Sequence, residues 1–314
     1  MDEGNHTMRV TKFVLLGLTD DPVLKHFLFL LILIIYLITW LGNLTIITTV
    51  ISDHQLHTPM YFLLANLAVL DVSHSSINVP KVLSTLLSQN KTISFSECIM
   101  QMFFFHFIAG AMCIFLVVMA IDRYVAIHNP LRYLTIMNRD VCTGLVIGAW
   151  LVGFTHSIIQ VALIVPLPFC GPNVLDNFYC DVPQVIKLVC TDTYMVELMM
   201  VFNSGMLLII EFIILLISYT FILIKIRRHV TEGKHKALST CGAQITVMSM
   251  IFIPAVFIYA RPFHKLAMDK AVSVTYTVIT PMLNPMIYTL RNTEMKNAIS
   301  RFAKRIFNKL RLRQ

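Results

Sequence analysis

Seven stretches of this chain are too long and too apolar to fold as the exposed helices of a water-soluble protein. They cover roughly 27–51, 58–82, 98–127, 141–165, 196–226, 238–260 and 271–291. Crossing the hydrocarbon of a bilayer takes about 20 apolar residues at 1.5 Å each, and each stretch reaches that length. Backbone N–H and C=O groups find no water in hydrocarbon, and an open strand edge cannot be satisfied there. The expected fold is therefore an all-α membrane protein, a bundle of seven transmembrane helices. Only 13% of the residues are charged, against about 25% in a soluble domain, too few to clothe a soluble surface.

The basic residues set the orientation. With the N-terminus outside, 16 of the 25 Lys and Arg fall on inner segments and nine on outer ones, the bias of the positive-inside rule. Residues 1–26 are then an extracellular tail and 27–291 the membrane domain. Within it, 166–195 form a long extracellular loop rich in proline and cysteine. The start, Met1 to Asn5, lacks the basic region of a cleavable leader, so the first helix is expected to direct insertion. Residues 292–314 form a cytoplasmic helix and tail. Met295, Ile299, Phe302, Ile306 and Leu310 recur at helical spacing with Lys and Arg between them. Such a basic amphipathic helix suits membrane lipids on the inner face rather than nucleic acid.

Two segments place polar groups where burial is costly. Met119-Ala120-Ile121-Asp122-Arg123-Tyr124 closes the third apolar run, and Asn284-Pro285-Met286-Ile287-Tyr288 lies in the seventh. Charges at the end of a membrane helix call for a partner or a switching role. Arg123 can pair with Asp122; if the inner helix ends part, it can turn to Tyr219 or Tyr288. Pro285 interrupts the backbone ladder and permits hinging. Asp71, midway along the second run, reads as a polar hub with Asn43 and Asn284. Four of the seven cysteines, Cys98, Cys170, Cys180 and Cys190, fall on the oxidising side and allow three pairings. The sequons at Asn5 and Asn90 lie outside, with Asn5 the better acceptor.

The strings Leu56-His57-Thr58-Pro59-Met60-Tyr61, Met119–Pro130, Ser218-Tyr219, Lys236-Ala237-Leu238-Ser239-Thr240-Cys241 and Pro281–Tyr288 occur in the order found in tetrapod-type (class II) olfactory receptors. The chain resembles that rhodopsin-like, G-protein-coupled family from Thr11 to about Lys296. The resemblance implies disulfides Cys98–Cys180 and Cys170–Cys190. It implies activation and coupling through Asp122, Arg123, Tyr124, Tyr219, Asn284, Pro285 and Tyr288. It allows a sodium ion near Asp71, although Met112 stands where the third helix often supplies a hydroxyl. It further implies odorant detection at the plasma membrane of olfactory cilia, through a stimulatory olfactory G protein and cyclic AMP. Ile121 and His128 depart from the Tyr and Cys usual in the family.

A small-molecule site is expected between the outer halves of the helices, from Phe105, His106, Ala109, Gly110, Asn203, Ser204, Leu207, Phe252, Val256, Tyr259 and Thr277. Phe105 stands where amine receptors carry Asp, which argues for a neutral, mostly apolar volatile. Glu211 reads either as a buried structural group on the fifth helix or as a polar pocket floor; the structural reading is preferred. His74, His106 and His156 lie on different helices, an unpromising arrangement for a metal, and of the three His106 is expected to face ligand. The competing functions are a rhodopsin-like receptor for a non-odorant molecule and, less well supported, a transporter. Paired intramembrane charges and internal repeats, which a transporter would show, are not evident, and no nucleophile–base pair suggests an enzyme.

Overall fold

In a computed structural model of the chain, the structure describes residues 10–88, 91–170, 172–229, 234–261, 266 and 268–311. Asn5 and Asn90 lie outside the described residues.

The helices start where the sequence supplies caps. Helix α1 (Pro22–Ser52) begins at Asp21, whose carboxylate accepts from Leu24 N at 2.8 Å, with Pro22 in the first turn. Helix α2 (Pro59–Leu87) also opens on proline. Helix α3 (Phe95–His128) carries a reciprocal capping box, in which Ser94 and Glu97 each accept from the other's backbone N–H. Asn138 caps α4 (Arg139–Ile164). Helix α5 spans 194–229, α6 is Lys234–Tyr259, α7 spans 269–291, and α8 (Thr293–Arg311) follows it. Each of α1 to α6 contains a stretch long and apolar enough to cross a membrane. Helix α7, which carries Pro281 and Pro285 and is more polar, completes the seven-helix bundle.

The outer surface is apolar. On α1, Phe27, Leu30, Ile34, Leu37 and Leu41 recur every three or four residues and are all exposed, a stripe facing lipid. The inner faces pack Leu63, Phe105, Phe115, Ile222, Val247 and Ile251 into one core. Helices α3 and α4 approach closely because Gly153 has no side chain: a Cβ there would lie 2.5 Å from the Phe107 carbonyl oxygen.

Two helices depart from 3.6 residues per turn. Phe202–Met206 in α5 and Thr275–Ile279 in α7 each take a π turn, which shifts the phase of the residues around it.

A small sheet joins the N-terminal segment to two loops at one end of the bundle. Strand β1 (Lys12–Leu15) pairs antiparallel with β2 (Thr92–Ser94) and parallel with β3 (Val174–Leu175). Part of the expected N-terminal tail is thus an integral strand, with Phe13 and Leu15 fully buried. Disulfides join Cys98 to Cys180 and Cys170 to Cys190. The first pins the long loop to the top of α3.

Candidate functional site

Between the outer halves of α3 to α7 lies a cavity of about 60 Å³. Its wall includes Phe105, His106, Ala109, Gly110, Asn203, Ser204, Leu207 and Tyr259, all anticipated from sequence, and also Cys113, His156, Glu211, Ala255 and Tyr276. Phe252, Val256 and Thr277 fall off the wall. Phe252 is fully buried against Phe212, with ring centroids 5.7 Å apart. Ala255 and Tyr276, each one residue from the expected position, take the places of Val256 and Thr277. Counting at 3.6 residues per turn fails where α6 passes Pro254 and where α7 takes its π turn. Glu211 lies on the wall, contrary to the preferred structural reading, and His156 joins His106 there.

Three polar groups of this wall, His106, Tyr259 and Ser204, are tied to residues behind it. Asp181, the residue after the pinned Cys180, is completely buried. It accepts from Tyr259 OH at 2.6 Å and Tyr179 OH at 3.3 Å, and meets His106 Nε2 at 3.1 Å. One loop carboxylate therefore ties α3 to α6 through two residues of the cavity wall. Gln160 Nε2 donates to Ser204 Oγ, joining α4 to α5. Sequence reasoning missed Asp181, although its place beside a cysteine fixed to α3 was a usable signal.

Below the cavity, Asp71 accepts from Asn284 Nδ2 at 2.8 Å. Asn43 Nδ2 donates to the Thr39 and Pro281 carbonyls, joining α1 to α7. Asn43 Oδ1 and Asn284 Oδ1 are buried without hydrogen-bond partners. These oxygens and the Asp71 carboxylate are the donors a hard cation would use; Met112 adds none.

At the inner end of α3, Arg123 lies 3.4 Å from Asp122. The other Asp122 oxygen accepts from Tyr133 OH at 2.6 Å, a partner that sequence reasoning did not find. Tyr133 stands on the short helical turn Tyr133–Ile136 between α3 and α4. Tyr124 is exposed and stacks on His128. Tyr219 donates to Gln244 Oε1 at 3.1 Å, and the Tyr288 hydroxyl is buried without a partner. Arg123 is thus held by α3's own acid, with Tyr219 tied to α6 and Tyr288 unengaged.

A family model described as olfactory receptor matches residues 32–305. Human olfactory receptor 4D1 is 57% identical over 96% of this chain and 97% of its own length. Human olfactory receptor 4Q3 is 55% identical over 93% of this chain and 94% of its own, and mouse olfactory receptor 4E2 is 49% identical over 95% and 96%. With a seven-helix bundle, an interhelical cavity and an arginine paired at the end of α3, this chain belongs to the olfactory receptor family.

Proposed function

We propose that a small, mostly apolar volatile binds in the cavity between α3 and α7 and that this binding drives release of Arg123 at the cytoplasmic face. The observation that supports the reading is the interhelical cavity itself, two of whose wall residues, His106 on α3 and Tyr259 on α6, are bridged by a loop carboxylate. At about 60 Å³ it has room for only a few water molecules. A volatile enters only if the walls move, so occupancy and helix arrangement are coupled. Helix α6 carries Tyr259 on the cavity wall and Gln244 at the inner end, so its displacement would disturb both the Asp181 tie and the Tyr219 contact. Arg123 then meets Tyr219, Tyr288 or the C-terminal carbonyls of a G-protein helix.

The partner in this reading is a stimulatory olfactory G protein, and the output is cyclic AMP. The N-terminus is extracellular, the receptor resides in the ciliary plasma membrane, and Asn5 carries glycan. Asp71, Asn43 and Asn284 are the residues that would hold a sodium ion. The test is a cyclic AMP reporter screen of a volatile library in cells, with Arg123→Ala as the silent control. Agonists that signal equally through Arg123→Ala would overturn the switch assignment.

A further inference from the structure

Glu211 is the last residue of α5 on the cavity wall. Its carboxyl has no hydrogen-bond or ion-pair partner among the described residues. Three other polar groups on the wall are engaged: His106 and Tyr259 with Asp181, Ser204 with Gln160. No Lys or Arg lines the cavity. Asn203 Nδ2 on this wall is also unpartnered. It is a neutral donor eight residues away, about two turns along α5, so a small guest does not span both. Unlike an amide, an acid in an apolar cavity can become a charge that a cationic guest would pair, and as an unpaired carboxylate it would be far costlier than an unpaired amide.

We propose that Glu211 anchors the polar end of the ligand and that the ligand is a volatile nitrogen base, an alkylamine or a ring nitrogen, with its apolar body against Phe105, Leu207 and Tyr276. This rests on the cavity being the odorant site. A protonated amine meets the carboxyl in its ionised form, or a neutral base takes the proton of the neutral carboxyl. Either way a positively charged N–H donates to the Glu211 carboxylate, a charge-assisted bond that compensates the desolvation of both partners. Phe105 on α3 argued for neutral ligands; the acid is instead supplied from α5, on the same cavity wall.

Matched pairs of volatiles test this in the cyclic AMP assay: isopentylamine against isopentanol, and 2-methylpyridine against toluene. The wild-type receptor should respond to each base at a concentration at least tenfold lower than to its neutral partner. Glu211→Gln, which keeps size and hydrogen bonding but cannot hold a cation, should raise the half-maximal concentration for the bases at least tenfold. It should leave any response to isopentanol in place. Equal responses to base and neutral partner, bases indifferent to Glu211→Gln, or a receptor silent to every base would each overturn the proposal. Loss of surface expression in both Glu211→Gln and Glu211→Leu would also overturn it, since the group would then be structural. Leu207→Trp, which fills the cavity, separates the two readings. Agonists that survive it do not use the cavity; agonists abolished by it yet indifferent to Glu211→Gln overturn only the assignment of Glu211.

Discussion

Asp122 holds two partners at once, one through each oxygen. Tyr133 donates to the first at 2.6 Å, and Arg123 faces the second at 3.4 Å. Burial, with the charge of Asp122 beside it, holds the Tyr133 phenol well above its usual range, so it remains a donor at any physiological pH. Bonds of this kind, with one charged partner, contribute about 1.5–3 kcal/mol each. Arg123 Nε is buried without a partner, so the guanidinium is under-satisfied even when paired and gains by finding new acceptors. Asp122→Asn removes the charge that holds it. Unstimulated cyclic AMP, normalised to surface receptor, should rise several-fold, since about 1.4 kcal/mol is a factor of ten in the balance of two states. Tyr133→Phe keeps the charge and should give a smaller rise. Basal signalling unchanged in Asp122→Asn would show that the pair does not restrain the receptor.

Among the elements, α5 and α6 meet at a point that tolerates no side chain. A Cβ on Gly205 would collide with the carbonyl oxygen of Tyr259 and the Cα of Ala260, both backbone. The π turn over Phe202–Met206 brings this glycine against the end of α6. Gly205→Ala must push the helices apart, at a cost of about 1–3 kcal/mol. Thermal stability in detergent and surface expression should both fall. Gly144→Ala on α4, where nothing lies within 4 Å, should be neutral or stabilising by about 0.5–1 kcal/mol. Equal behaviour of the two variants would mean that α5 and α6 are not in close contact there. The same element shows where sequence is readable. Apolar runs and proline-marked starts locate the helices, because the bilayer fixes their length and composition. A π turn leaves no such trace, so Tyr276 rather than Thr277 reached the wall. The β1–β2–β3 sheet was missed for a related reason. Its strands are two to four residues long, and its order comes from pairing between segments far apart in the chain. Tyr133 and Asp181 act through tertiary contacts that spacing alone does not encode.

For the whole molecule, the last helix is clamped to the first. Asp53, just past the end of α1, accepts from Arg301 Nη2 at 2.6 Å and Nε at 3.0 Å, while Arg305 donates to the Ser52 carbonyl. On the neighbouring helix, Tyr61 donates to Glu294 at 2.8 Å. Helix α8 is thus anchored to α1 and α2 by polar ties as well as by Met295 and Ala298, both fully buried. The Arg301 guanidinium bonded to Asp53 holds its carboxyl below the usual value of 3.8. A folded-state pKa below the unfolded one contributes stability that is fully present above the unfolded value and is lost as pH falls through the folded one. The Arg301 side chain is 40% exposed, so screening limits the pair to about 0–1 kcal/mol. Arg301→Ala should lower the Tm of the purified receptor at pH 7 by no more than about 2–4 °C. The gap from wild type should persist down to about pH 4 and close below it, as Asp53 takes up its proton. Arg301→Lys, which keeps the charge but gives up the two-pronged geometry, should fall between the two at pH 7. A gap that stays constant from pH 7 to pH 3 would mean that the Asp53 tie contributes nothing to the fold.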